Sequence, residues 1–152
     1  MIDYRIEKVR CPVLVVLTDG ESIAGDIFLS PTSRFRSEPQ DPAEFMNEAE
    51  AYFALAADDG RAMLVAKENV ERVEALAPSD PAPDPARNPL RMEVTLVNGA
   101  SHAGEAHLDT RSERSRLLDY LNSHREQFLQ LIQPDRLMLI NRRVITHVSE
   151  LT

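Results

Sequence analysis

The stretch "VLVVLTDGESIAGDIFL", Val13 to Leu29, returns 79 positions later as "MEVTLVNGASHAGEAHL", Met92 to Leu108. The two copies share Leu17/Leu96, Gly20/Gly99, Ser22/Ser101, Ala24/Ala103, Gly25/Gly104 and Leu29/Leu108 in register. Each places an Asp-Gly or Asn-Gly step between two apolar runs. Such steps are preferred centres of two-residue type I′ hairpin turns, because both residues tolerate positive φ. Val13, Val15 and Leu17, then Ile23, Gly25, Ile27 and Leu29, alternate as one buried face of a hairpin. Met92, Val94 and Leu96, with His102, Gly104, Ala106 and Leu108, repeat the pattern. Gly25 and Gly104 fall in mid-strand, where a missing side chain predicts a sharp bend or a close backbone approach.

The echo extends along the chain. "EFMN" (44–47) meets "DYLN" (119–122), "YFAL" (52–55) meets "FLQL" (128–131), and "MLVAKENVERVEAL" (63–76) meets "MLINRRVITHVSEL" (138–151). Order and spacing kept over some 60 positions mark an internal duplication. Between the copies, "APSDPAPDPARNPL" (77–90) holds five of the ten prolines, which predicts an extended connector rather than a helix or interior strand. The expected organisation is a first module over 1–76 with its N-terminal segment, a linker over 77–90, and a second module over 91–152. Inside the first module, Asp41-Pro42 is a helix start, and local propensity alone would run one helix to about Ala57. The repeat favours a short helix over Pro42–Asn47, a strand over Tyr52–Ala57, and a turn at Asp58-Asp59-Gly60 leading into another strand.

Composition bounds the function. The chain has 152 residues, 43% of them apolar, with eight aromatic side chains and no Trp, so its core is mostly aliphatic. Its net charge of −8 is uneven: residues 13–76 carry 13 acidic against 5 basic side chains, whereas residues 91–152 carry 8 of each. An acidic surface repels phosphate backbones and disfavours general nucleic-acid binding. Cys11 is the only cysteine, which excludes a disulfide within the chain. No apolar run is long enough for a membrane span and no leader pattern opens the sequence, so a cytoplasmic location and no membrane partner are expected. Fifteen of the seventeen basic residues are Arg, a composition associated with GC-rich bacterial genomes.

No catalytic, cofactor-binding or metal-binding constellation is legible. His102 and His107 lie five apart on one expected strand and point to opposite faces, so they cannot share a metal. The Asp58-Asp59-Gly60 step is explained by a turn, and no phosphate-cradling Gly-rich loop occurs. Two features bear on partners. On the outward face of the first hairpin, copy one places Leu14, Val16 and Phe28 where copy two places Glu93, Thr95 and His107; the apolar trio predicts an inter-module or subunit interface, or burial under Tyr4 and Ile6. Arg111, Arg114 and Arg116, with Arg125, Arg142 and Arg143, make a candidate basic patch that Glu113 and Asp119 partly compensate.

Strand, Asp-Gly turn, bent strand, short helix, hairpin and closing strand resemble the Sm-like fold, a small five-stranded barrel of the SH3-like kind. "LTDGESIAGDIFL" is similar to its first motif. "LVAKENVERV" and "LINRRVITHV" are similar to its second, keeping the aliphatics Val70 and Val73, and Ile145 and Val148. The chain also resembles bacterial Sm-like domains with a short helix between the second and third strands. The resemblance implies a mainly β fold of two tandem barrels, edge-to-edge association through open strands, and RNA contact through Asn47 with Lys67 and Asn122 with Arg142, flanked by Arg143. The Gly that follows the basic residue in the family is here Glu68 and Arg143. The expected function is a non-enzymatic adaptor or assembly module without cofactors, with a protein partner or self-association; the alternative is RNA binding by the second module.

Overall fold

Leu17 and Glu21 close the first hairpin in the computed structural model, which describes residues 8–33, 39–76, 88–108, 116–123 and 126–151. The protein is mainly β and divides into two units, Met1–Ala75 and Leu76–Thr152. In the first unit, β1 (Val9–Leu17) pairs antiparallel with β2 (Ser22–Leu29), then come α1 (Pro42–Met46), β3 (Tyr52–Ala57), β4 (Ala62–Ala66), a 3₁₀ turn over Lys67–Asn69 and β5 (Val70–Leu76). The strand order is β5-β1-β2-β3-β4. The second unit repeats it with β6 (Asn88–Leu96), β7 (Ser101–Leu108), α2 (Arg116–Ser123), β8 (Phe128–Ile132), β9 (Arg136–Asn141), a 3₁₀ turn over Arg142–Val144 and β10 (Ile145–Glu150), ordered β10-β6-β7-β8-β9. Each set is an open five-stranded antiparallel sheet. Among the described residues no pairing joins β4 to β5 or β9 to β10, so the expected closure into two barrels is not made by strand pairing.

The alternation places the core as read. Val13, Val15, Ile23, Ile27 and Leu29 are buried in unit 1, and Met92, Val94, Leu96 and Ala106 in unit 2, where Tyr120, Leu129, Leu131, Met138 and Ile140 join them. Leu17 is only half-buried, because it stands at the turn. Gly25 and Gly104 are sites of close approach. A Cβ on Gly25 would lie 2.4 Å from the Ala56 carbonyl oxygen, and one on Gly104 would lie 2.7 Å from that of Ile132. The second strand of each copy can therefore lean onto the third only without a side chain.

The turns differ from the expected two-residue type I′ form. Leu17 N–H donates to Glu21 O (2.8 Å) and Gly20 N–H to Leu17 O (2.9 Å), with Gly20 at φ 93°. This is a three-residue loop, a type I turn followed by a left-handed Gly. Asp19 explains the choice, since its carboxylate accepts the Glu21 N–H at 2.9 Å. Asn98 does the same for Ala100 and Asp59 for Arg61.

Local signals set α1. Asp41 caps it by accepting the Glu44 N–H at 2.8 Å, and Pro42 needs no N–H in the first turn. The helix stops at Met46, which is buried, with Asn47 as its C-cap, and β3 follows over Tyr52–Ala57 as the repeat predicts. The connector read as 77–90 is shorter than expected, because β6 already begins at Asn88. Pro89 is tolerated there since β10 reaches only to Met92, leaving that side of β6 without a ladder to feed. The remainder of that connector, the Arg111, Arg114 and Arg125 members of the basic patch, and Tyr4 and Ile6, lie outside the described residues.

Candidate functional site

The 3₁₀ turn after the fourth strand of each unit begins with a basic residue, and in both units that residue reaches back to the end of the helix. The Lys67 side chain, only 2% exposed, donates from Nζ to Glu48 O at 3.0 Å, two residues beyond α1. Arg142 donates from its guanidinium to Leu121 O within α2. The backbones coincide as well: Lys67 N–H donates to Ala51 O and Arg142 N–H to Gln127 O, both at 2.9 Å. Carbonyls at a helix C-terminus lack partners within the helix and carry partial negative charge, so a cation there satisfies both needs. Each basic residue is a pin joining the end of the helix to the 3₁₀ turn that follows the fourth strand.

The pairs named by the Sm resemblance are thus brought into proximity, but through the backbone. Lys67 holds the carbonyl next to Asn47, and Arg142 holds the carbonyl just before Asn122. Asn47 caps α1, its N–H donating to Ala43 O at 3.1 Å. Asn122 and Arg143 are exposed, and the Arg143 N–H is held by the buried Asn141 side chain at 3.1 Å. Of the apolar trio, Val16 is buried, whereas Leu14 and Phe28 are half-buried. The Arg10 guanidinium lies over the Phe28 ring, 5.5 Å from its centre.

Phe28 and Lys67 share one feature, a concavity of about 400 Å³ in unit 1 between α1, the segment after it and β3. Phe28, Phe45, Tyr52 and Phe53 supply its aromatic lining, with Phe45 and Phe53 edge to face at 5.9 Å. Lys8, Glu48, Glu50 and Lys67 supply its charges. Burial holds the Lys67 ammonium below the ordinary lysine value of 10.5, against the opposing pull of Glu48 and Glu50. Between the lowered folded value and 10.5 the unfolded chain binds more protons than the native one, so stability rises with pH across that window. Denaturant titrations of the protein and of Lys67→Met along a pH series below 10.5 are expected to show the wild type gaining relative to the variant as pH increases.

Sequence reasoning singled out Phe28 and Lys67 for separate roles and missed Phe45, Glu48, Glu50, Tyr52 and Phe53. The available signal was clustering: five of the eight aromatic residues lie between Phe28 and Phe53.

A second difference concerns the outer face of the hairpin after the helix. Tyr52 pairs with Ala66 and Ala54 with Leu64 across β3–β4, as Phe128 pairs with Asn141 and Gln130 with Leu139 across β8–β9. Leu64 is 79% exposed and Tyr52 63%, whereas Leu139 and Phe128 are 0% exposed. Residues 62–66, AMLVA, carry no charge or proline, and β4 has β3 as its sole strand partner among the described residues.

Burial, and then the Asp26 carboxylate, push the Cys11 thiol up, which disfavours its thiolate form. Among the described residues no three His, Cys, Asp or Glu side chains converge as a metal site, and no helix is long and apolar enough to cross a membrane. Comparison of the chain with protein-family models, curated proteins and solved structures finds no match.

Proposed function

We propose that the chain is a non-enzymatic assembly module of two tandem Sm-like units, and that it self-associates through the outer face and free edge of β3–β4. The carrying observation is the contrast between Leu64, exposed, and its counterpart Leu139, fully buried. A flat, uncharged, apolar edge strand is an aggregation hazard unless something pairs with it. The same positions in unit 2 are apolar and buried, so this face of the repeat is one that can be covered, and a second copy of the chain, with an open β10 edge, is the occupant we favour.

The strand order of each unit and the helix preceding its third strand support the Sm-like reading, whose known habit is association through open strands. The strand offered in return is β10, which among the described residues pairs only with β6. Joining β4 of one copy to β10 of the next is a head-to-tail contact that gives rings if the rotation closes and filaments if it does not. RNA recognition has less to stand on, because Lys67 and Arg142 donate to backbone carbonyls, that of Glu48 just beyond α1 and that of Leu121 within α2.

Sedimentation velocity over a concentration series is expected to show oligomers, and Leu64→Lys to weaken their association by about tenfold or more, since an ammonium would be desolvated in the contact. At an exposed position the substitution leaves the fold intact. A wild-type protein that stays monomeric throughout, or a Leu64→Lys variant that associates as the wild type does, would overturn the reading.

A further inference from the structure

We propose that the concavity beside α1 is a binding site for a compact organic cation, an alkylated ammonium or guanidinium group. The site needs neither Leu64 nor the β4 edge, but it shares Tyr52 and Ala54 with the outer face of β3–β4, so the titration is made on the Leu64→Lys variant as well, where binding is expected to persist whether or not the chain self-associates. Aromatic rings present negative faces, and a cation placed over them gains most when carboxylates stand near and water is partly excluded. Four rings line this concavity, Glu48 and Glu50 stand at its wall, and Phe28 already carries a guanidinium, that of Arg10.

The interior charge does not oppose this. Lys67 is turned onto the Glu48 carbonyl, and two carboxylates flank its single ammonium. Lys8 is exposed, where water and salt screen it. The surrounding stretch, 13–76, is the acidic part of the chain and attracts cations at longer range.

The duplication supplies the control. Unit 2 keeps the glycine approach, the turns and the basic pin, yet has His107 where unit 1 has Phe28, Leu129 where it has Phe53, and Ser123 where it has Glu48. Unit 2 does keep Tyr120, Phe128 and Glu126 at the positions of Phe45, Tyr52 and Glu50, so it is the set of Phe28, Phe53 and Glu48 that the repeated fold does not itself require.

The test is a titration of the full chain with tetramethylammonium chloride, followed by ¹H–¹⁵N NMR and matched in ionic strength by sodium chloride. Saturable shifts confined to the amides around Glu50, Tyr52, Ala54 and Lys67 are expected, with none at the matching segment of unit 2. The double variant Glu50→Gln/Tyr52→Leu alters only exposed side chains and so keeps the fold; it is expected to bind about tenfold or more weakly. Identical shifts with sodium chloride, or undiminished binding by the double variant, would overturn the site. A short peptide bearing one trimethyllysine, set against the same peptide with alanine, separates the two sources: tighter binding than tetramethylammonium assigns a polypeptide-borne cation, and equal binding a free amine.

Discussion

Gly25→Val is expected to destabilise unit 1 by about 3 kcal/mol or more, and Gly25→Ala by about 2 kcal/mol, in urea unfolding followed by circular dichroism. A Cβ at this position would sit 2.4 Å from Ala56 O and 2.9 Å from Ala57 Cα, both backbone atoms of β3. Backbone cannot rotate aside as a side chain can, so β2 and β3 must separate where Gly25 pairs with Ala57 and Asp26 with Ala56. Those two are the β2–β3 pairs of the ladder, so the lost contact is not replaced farther along. The gain in strand propensity on leaving glycine is at most about 1 kcal/mol and does not offset the clash. Gly104→Ala is the milder counterpart: its Cβ meets Ile132 O at 2.7 Å, and its other close neighbours belong to the movable Leu131 side chain. An ordering with Gly104→Ala costlier than Gly25→Ala, or a Gly25→Ala variant within about 0.5 kcal/mol of wild type, would contradict this account.

These glycines also show how far the sequence could be read. Their position in the middle of an alternating strand was enough to predict a close approach, because only the neighbouring strand can occupy the space a side chain would take. The core faces were legible for a similar reason: the period of two is local. The end of α1 was not local. Glu48 to Ala57 has helical propensity, and only comparison with the second copy indicated that the chain turns to strand at Tyr52. Turn type escaped because Asp19 and Asn98 satisfy two geometries equally well by composition, and the side-chain acceptance from the residue after Gly decided between them. The start of β6 escaped because whether Pro89 can enter a strand depends on where β10 ends, a fact 60 residues away. Sheet closure is likewise a property of distant strands. The candidate site was legible only in fragments, since its aromatic lining comes from three elements that the sequence separates.

The pins are the part of the site that sequence reading assigned to a ligand, and their removal separates the two roles. Lys67→Ala and Arg142→Ala are each expected to cost about 2–3 kcal/mol in urea unfolding, from the loss of a charge-assisted hydrogen bond and of the packed aliphatic stem. Lys67 bridges 19 residues and Arg142 bridges 21, so each variant also loosens the tie between the 3₁₀ turn and the segment at the end of the helix. Lys67→Arg is expected to retain most of the stability, because an arginine does the same work in unit 2, whereas Lys67→Met keeps the stem and loses the donor, falling between the two. Residues serving only to contact an anionic partner would behave oppositely: exposed and solvated, they could be truncated with changes within about 0.5 kcal/mol. Arg143, exposed and one position beyond the pin, is the comparison, and Arg143→Ala is expected to cost less than either pin variant. If Lys67→Ala and Arg142→Ala fell within the narrow range of such solvated residues, the contacts between helix end and 3₁₀ turn would carry no stability and the basic residues would again be available for a partner.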